Sequence, residues 1–125
     1  MTEPASAFAR IAELRPHAVW DGVVARTLIG EKLMFAVVDL APDSVVGEHS
    51  HPHEQAGVCL RGSLVFTIGG ETRELHAGDA YMIPGGVPHT AQTGPQGATV
   101  VDAFSPPRED WEKLERLEPS APAWP

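Results

Sequence analysis

Cysteine is nearly missing from this chain. Cys59 stands alone, so no intramolecular disulfide can form, which agrees with a reducing compartment, and the lone thiol reads as a small buried core residue. Basic residues are scarce too. Lys and Arg number 9 against 17 Asp and Glu, a formal charge of -8. That balance argues against nucleic acid and anionic membrane as partners, and an acidic small molecule would need a local cation. No run approaches the ~18 apolar residues of a spanning helix. Met1-Thr2-Glu3-Pro4 lacks the basic-then-apolar order of a secretion signal, so a cytoplasmic location is expected. No internal repeat is found. The 125 residues, 42% of them apolar, suit one domain with one sizeable core.

What is present reads as strands. Between Val19 and Phe104, short apolar or alternating runs are broken by turn residues, the pattern of an antiparallel barrel or sandwich. Val23 to Ile29 and Leu33 to Leu40 suggest a hairpin joined at Gly30-Glu31. Pro42-Asp43 turns the chain, Ala56 to Leu60 follows, and Arg61-Gly62 is expected to turn it again. Ser63 to Ile68 and Glu71 to Leu75 flank Gly69-Gly70, the best-defined hairpin signal. Tyr81 to Ile83 and Ala98 to Phe104 complete the set, the latter after an expected loop over Thr93-Gly94-Pro95-Gln96-Gly97. Short helices are expected at both ends. One covers residues 6 to 14, with Phe8, Ile11 and Leu14 at three-residue spacing. The other covers Arg108 to Leu117, with Ser105 as cap, Pro106 as first helical residue, and Trp111, Leu114 and Leu117 as its apolar side. The expected division is an N-terminal segment over 1–18, a barrel over 19–105, and a C-terminal helix and irregular tail over 106–125.

Chemistry concentrates at His49-Ser50-His51, Gln55 and His89. Histidines at i and i+2 point to one side of an extended strand, and a donor from a later strand can close a facial metal set. Gln55 is a neutral donor where a carboxylate would be ordinary. Glu54 could supply that carboxylate after a register shift, but on a strand it faces away from Gln55. Three imidazoles and an amide leave the full +2 on a divalent ion. That favours polarising a substrate hydroxyl or carbonyl over activating oxygen, for which two histidines and a carboxylate are the common iron face. Nickel, zinc, manganese, iron or cobalt would all be accepted. His17 and His76 read as surface residues near turns, and His53 as a loop cap.

His49, His51 and Gln55, with Gly62 seven residues on, resemble the first motif of the cupin superfamily, and Gly78, Pro84, Gly86 and His89 resemble the second. Fifteen residues lie between Gly62 and Gly78, an ordinary separation for the two. The resemblance implies an all-β fold, a single-domain cupin barrel of jelly-roll type with short terminal helices, and His49, His51, residue 55 and His89 converging on one metal inside it. Three positions depart from the motif. Asp43 replaces an expected glycine, which aspartate's tolerance of positive φ allows. Gln55 replaces the glutamate, and Thr93 an asparagine.

A third segment, Val101 to Trp111, contains Asp102, Phe104 and Arg108. On a last strand Asp102 and Phe104 share a face, and in a barrel interior the carboxylate would lie near the metal as a general acid or base. Arg108, after the double proline, could hold a substrate carboxylate bidentately and supply the missing cation. The plainer alternatives are an exposed Arg108 paired with Glu109 or Glu112, and an Asp102 bonded to backbone. Together with His49 to Gln55, this segment resembles the KdgF-type cupins of pectin and alginate breakdown over about residues 19 to 111. That resemblance implies a metal-dependent isomerase of carbohydrate metabolism, opening cyclic 4,5-unsaturated uronates to linear 5-keto-4-deoxyuronate. Asp102 would be catalytic, Arg108 and Phe104 would bind the small acidic sugar, and a homodimer is expected by analogy. The alternatives are a metal-dependent cupin dioxygenase and a non-catalytic cupin that binds a small acid.

Overall fold

The computed structural model describes residues 6–125; residues 1–5, with which the expected N-terminal segment begins, lie outside it. Among the described residues eight strands form one antiparallel sheet folded around a single core: β1 (His17–Trp20), β2 (Val23–Ile29), β3 (Met34–Leu40), β4 (Val45–His49), β5 (Glu54–Ile68), β6 (Glu71–His76), β7 (Ala80–Ile83) and β8 (His89–Ser105). The hydrogen-bonded order is β1-β2-β3-β8-β5-β6, with β4 also paired to β8 and β7 to β5. Among the described residues no helix is long and apolar enough to cross a membrane.

Two long strands make this a barrel. β5 and β8 run antiparallel along the whole molecule, from Glu54 opposite Ser105 to Ile68 opposite His89. Their outer halves recruit different partners: β8 pairs β3 at one end and β4 at the other, and β5 pairs β7 and then β6. This corrects two expectations. Arg61-Gly62 does not turn the chain but is an irregularity within β5, and the supposed loop over residues 93–97 lies within β8. The physical reason is local. Gly62 has φ of +75°, and a Cβ there would collide with the carbonyl of Gly97 on the neighbouring strand, so two glycines let both strands bend while staying paired.

The barrel interior follows from strand alternation. Met34, Ala36, Val38 and Leu40 of β3 face inward with Val100 and Phe104 of β8, Leu64 and Phe66 of β5 and Ile83 of β7. Cys59 is buried in the same core, as expected. Asp43 has φ of 53°, the positive value its place in the turn asked for, and buried Thr93 closes that turn by donating to the Ala41 carbonyl and accepting from the Ser44 N–H.

The terminal helices shrink to single 3-10 turns. Residues 6–14 contain only Ile11–Glu13, and the C-terminal segment only Glu109–Lys113. Ser105 ends β8, and Arg108 rather than Ser105 precedes the turn, so Pro106 is not helical. Tertiary packing overrides the helical spacing: Trp111 is buried edge-on against Phe104, with ring centroids 5.2 Å apart, and its carbonyl accepts from His17. His17, read from sequence as a surface residue, is 1% exposed. Its Nδ1 donates to the Trp111 carbonyl and its Nε2 accepts from the Thr27 hydroxyl, each at 3.1 Å. Both nitrogens being satisfied is what allows a neutral imidazole to be buried there. His76 is exposed, as expected.

Candidate functional site

One end of the barrel interior collects the chemistry-bearing side chains. His49 ends β4 and His89 begins β8, directly opposite it. His51 lies just past the strand end, in a loop held by a bond from the Gly86 N–H to the His51 carbonyl. Gln55, the second residue of β5, is buried, whereas Glu54 before it is exposed, as period-two alternation requires. Each of the three imidazoles places one ring nitrogen within 4.8 Å of the others'.

The hydrogen bonds assign the tautomers. The Nδ1 atoms of His49, His51 and His89 lie 2.8, 3.0 and 2.9 Å from the carbonyls of Gly47, His53 and Val87. A carbonyl can only accept, so each Nδ1 carries a proton, and the lone pair of a neutral ring is left on Nε2. The His89 Nε2 is buried with no partner, and the His51 Nε2 faces the Gln55 Oε1 at 3.1 Å, acceptor against acceptor. The Gln55 side chain also acts on Asp102, helping to hold that carboxyl's pKa down. A cluster of buried lone pairs without donors fits a bound cation, and backbone-fixed imidazoles are how metal-binding histidines are oriented. Burial, with Arg108 and His89 nearby, lowers the His51 pKa to about 4; burial lowers that of His89 as well. Both rings are therefore neutral near pH 7. A second group, His53, Glu109 and Asp110, is also close together, but its carboxylates are exposed and already engaged by His53 and Arg108.

Deeper in the barrel, Asp102 of β8 and Tyr81 of β7 lie on either side of Gly57 of β5. A Cβ at residue 57 would collide with the Tyr81 ring and with the Asp102 carboxylate, so the glycine opens the slot in which they meet. The Tyr81 hydroxyl donates to Asp102 Oδ1 at 2.5 Å. Burial raises the Asp102 pKa to about 6, against the opposing pull of the Tyr81 and Gln55 hydrogen bonds and of Arg108. Burial and the carboxylate push the Tyr81 phenol well above its usual range, so it stays the proton donor. Asp102 thus bonds to side chains and not to backbone. Tyr81 escaped the sequence reading because its link to Asp102 is a cross-strand register, for which Gly57 was the only trace.

Arg108 is neither exposed nor paired with Glu109 or Glu112. Its side chain is 10% exposed, its guanidinium carbon lies 5.1 Å from the Phe104 ring centroid and 4.9 Å from that of Trp111, and it grips Asp110 with two bonds of 3.0 and 2.8 Å. These residues line a cavity of about 220 Å³ together with His49, Gln55, His89 and Asp102. Trp20 stands at the same cavity, stacked on His49 with centroids 6.0 Å apart. The space is smaller than the ~300–1,000 Å³ typical of drug-sized ligands, which suits a monomer-sized molecule.

Residues 36–104 match the cupin domain family. The chain is a cupin. Within that family it is 32% identical over 93 residues to the pectin degradation protein KdgF of Dickeya dadantii, covering 73% of this chain and 84% of that protein. KdgF from a Halomonas species has a solved structure that superposes with a TM-score of 0.77 at 29% identity, over 85% of this cupin and 98% of that chain. An RmlC-like cupin from Shewanella frigidimarina superposes with a TM-score of 0.79 at 26% identity, over 86% and 96%.

Proposed function

We propose that this cupin opens cyclic 4,5-unsaturated uronates to the linear 5-keto-4-deoxyuronate. The observation that carries the reading is Asp102, a buried carboxylate with a pKa raised to about 6 that lines one cavity with His49, His89, Gln55 and the Arg108 guanidinium, His51 being grouped with the other two histidines. Likeness to KdgF over most of both chains supports the same reading. His49, His51, His89 and Gln55 would hold one divalent transition metal, which with only neutral donors would keep its full charge and supply Lewis-acid polarisation of a substrate oxygen.

The chain's own residues supply the rest. Ring opening is an isomerisation: the proton on the anomeric hydroxyl leaves, the bond from C1 to the ring oxygen breaks, and C1 becomes an aldehyde. The ring oxygen becomes the C5 enol, and protonation at C4 gives the ketone. Nothing is oxidised. The reaction needs a group that takes one proton and returns it nearby, and the Asp102 carboxylate, buried and facing the cavity, is placed to do both. Tyr81 fixes its orientation by donating to it. Arg108 binds the substrate carboxylate, and Phe104 forms the wall beneath the guanidinium.

The direct test mixes metal-loaded protein with 4,5-unsaturated galacturonate and follows loss of the enol-ether absorbance. Decay well above the protein-free control is expected. Decay equal to that control would remove the proposal, and oxygen uptake by the iron-loaded protein would favour a dioxygenase instead.

A further inference from the structure

We infer that Asp110 is a positioning residue for carboxylate recognition, locking Arg108 by one edge so that the opposite edge of the guanidinium meets the substrate's carboxylate. This rests on the reading that Arg108 is the carboxylate-binding group. A guanidinium has five N–H donors in a rigid plane, arranged so that two separate edges can each grip a carboxylate. Asp110 occupies the edge formed by Nε and Nη2, through Oδ1 at 3.0 Å and Oδ2 at 2.8 Å. That leaves both N–H groups of Nη1 and one of Nη2. Among the described residues these have no hydrogen-bond acceptor, although the side chain is 10% exposed and lines the cavity.

The lock is held from several sides. Phe104 and Trp111 approach the guanidinium within 5.1 and 4.9 Å of their ring centres, limiting its swing. Asp110 itself rides on the Glu109–Lys113 turn, which buried Trp111 anchors to the core and the 2.8 Å bond between His53 and Glu109 ties to the loop after His51. An unrestrained arginine loses considerable rotamer freedom when it binds; one already gripped on its far edge has lost it beforehand. The competing possibility is that Asp110 merely fills the place of the substrate carboxylate and must be displaced. The two predict opposite signs.

Calorimetric titration of the metal-loaded chain with galacturonate, and separately with neutral galactose, separates them. If Asp110 positions Arg108, Asp110→Asn weakens galacturonate binding by roughly tenfold, the scale of one immobilised long side chain. Galactose affinity and thermal midpoint stay as in wild type, and Asp110→Glu, which keeps the carboxylate, recovers much of the loss. Unchanged or tighter galacturonate binding by Asp110→Asn overturns the inference. So does equal weakening for galactose, or a wild type with no preference for the acid. Wild type that prefers galacturonate yet fails to open the unsaturated uronate would sink the reaction proposed above and leave this inference standing.

Discussion

Two buried polar clusters in this barrel use overlapping residue types and end in opposite conditions. On the outside of β2 and β3, Arg26 is 3% exposed and makes four hydrogen bonds: Nη1 donates to Asp39, Nε to the Ser120 carbonyl, and Nη2 to the Ser120 hydroxyl and the Ala121 carbonyl. Asp39 accepts in turn from the Thr99 hydroxyl and the Ala123 N–H. Every side chain of the cluster is paired, and together they strap the C-terminal tail to the sheet. At the barrel centre the count fails. The Nε2 of His89 has no partner, that of His51 faces an amide oxygen, and Asp102 carries a pKa raised to about 6 by burial. A polar cluster that is complete without a ligand stabilises the fold; one that is left acceptor-rich calls for a cation and for protons.

The largest effect that would sharpen this contrast is on turnover. Asp102→Asn keeps an acceptor for Tyr81 but removes the proton carrier, so kcat should fall roughly a hundred- to ten-thousandfold. Its thermal midpoint should stay level or rise, because a buried carboxylate is no longer desolvated. Full activity in that variant would break the role assigned to Asp102. Next comes the strap. Arg26→Met leaves Asp39 without its cation and should cost about 3 kcal/mol, or roughly 10 °C in Tm. The kcat of the protein still folded should match wild type; a comparable fall in kcat would show that the two clusters are coupled.

The smallest effect concerns pH. His17, like the polar groups of the strap, is buried with its partners in place, and burial, with Arg116 nearby, lowers its pKa, while the Trp111 carbonyl and Glu112 oppose the shift. A folded value below the ordinary one means the unfolded chain binds the proton more readily. Its contribution is therefore whole above about pH 6.5 and lost as pH falls from there through the lowered folded pKa. Wild type should lose Tm faster than His17→Gln on acidification from pH 7 to 5. Parallel slopes would contradict the assignment.

Much of this was legible in the sequence, and the limits have physical causes. His49, His51, Gln55 and His89 stood out because strand alternation and two short glycine-proline motifs constrain spacing locally. Asp102 and Phe104 followed from alternation along one strand. Tyr81 and Asp110 did not, because the contacts that define them, across Gly57 and across the guanidinium of Arg108, join residues through register and stacking that no spacing encodes. His17 was misplaced for a related reason: its burial depends on Thr27 and on the carbonyl of Trp111, far along the chain. Gly62 read as a turn because a paired glycine on the opposite strand was needed to see a bend instead.

The contrast between the clusters rests on the central one being completed by a cation. Calorimetric titration of nickel or manganese into chelator-stripped protein tests this most directly. One divalent ion per chain should bind to wild type, with a matching rise in Tm, and His89→Ala should lose both. No binding by wild type, or undiminished binding by His89→Ala, would contradict the account.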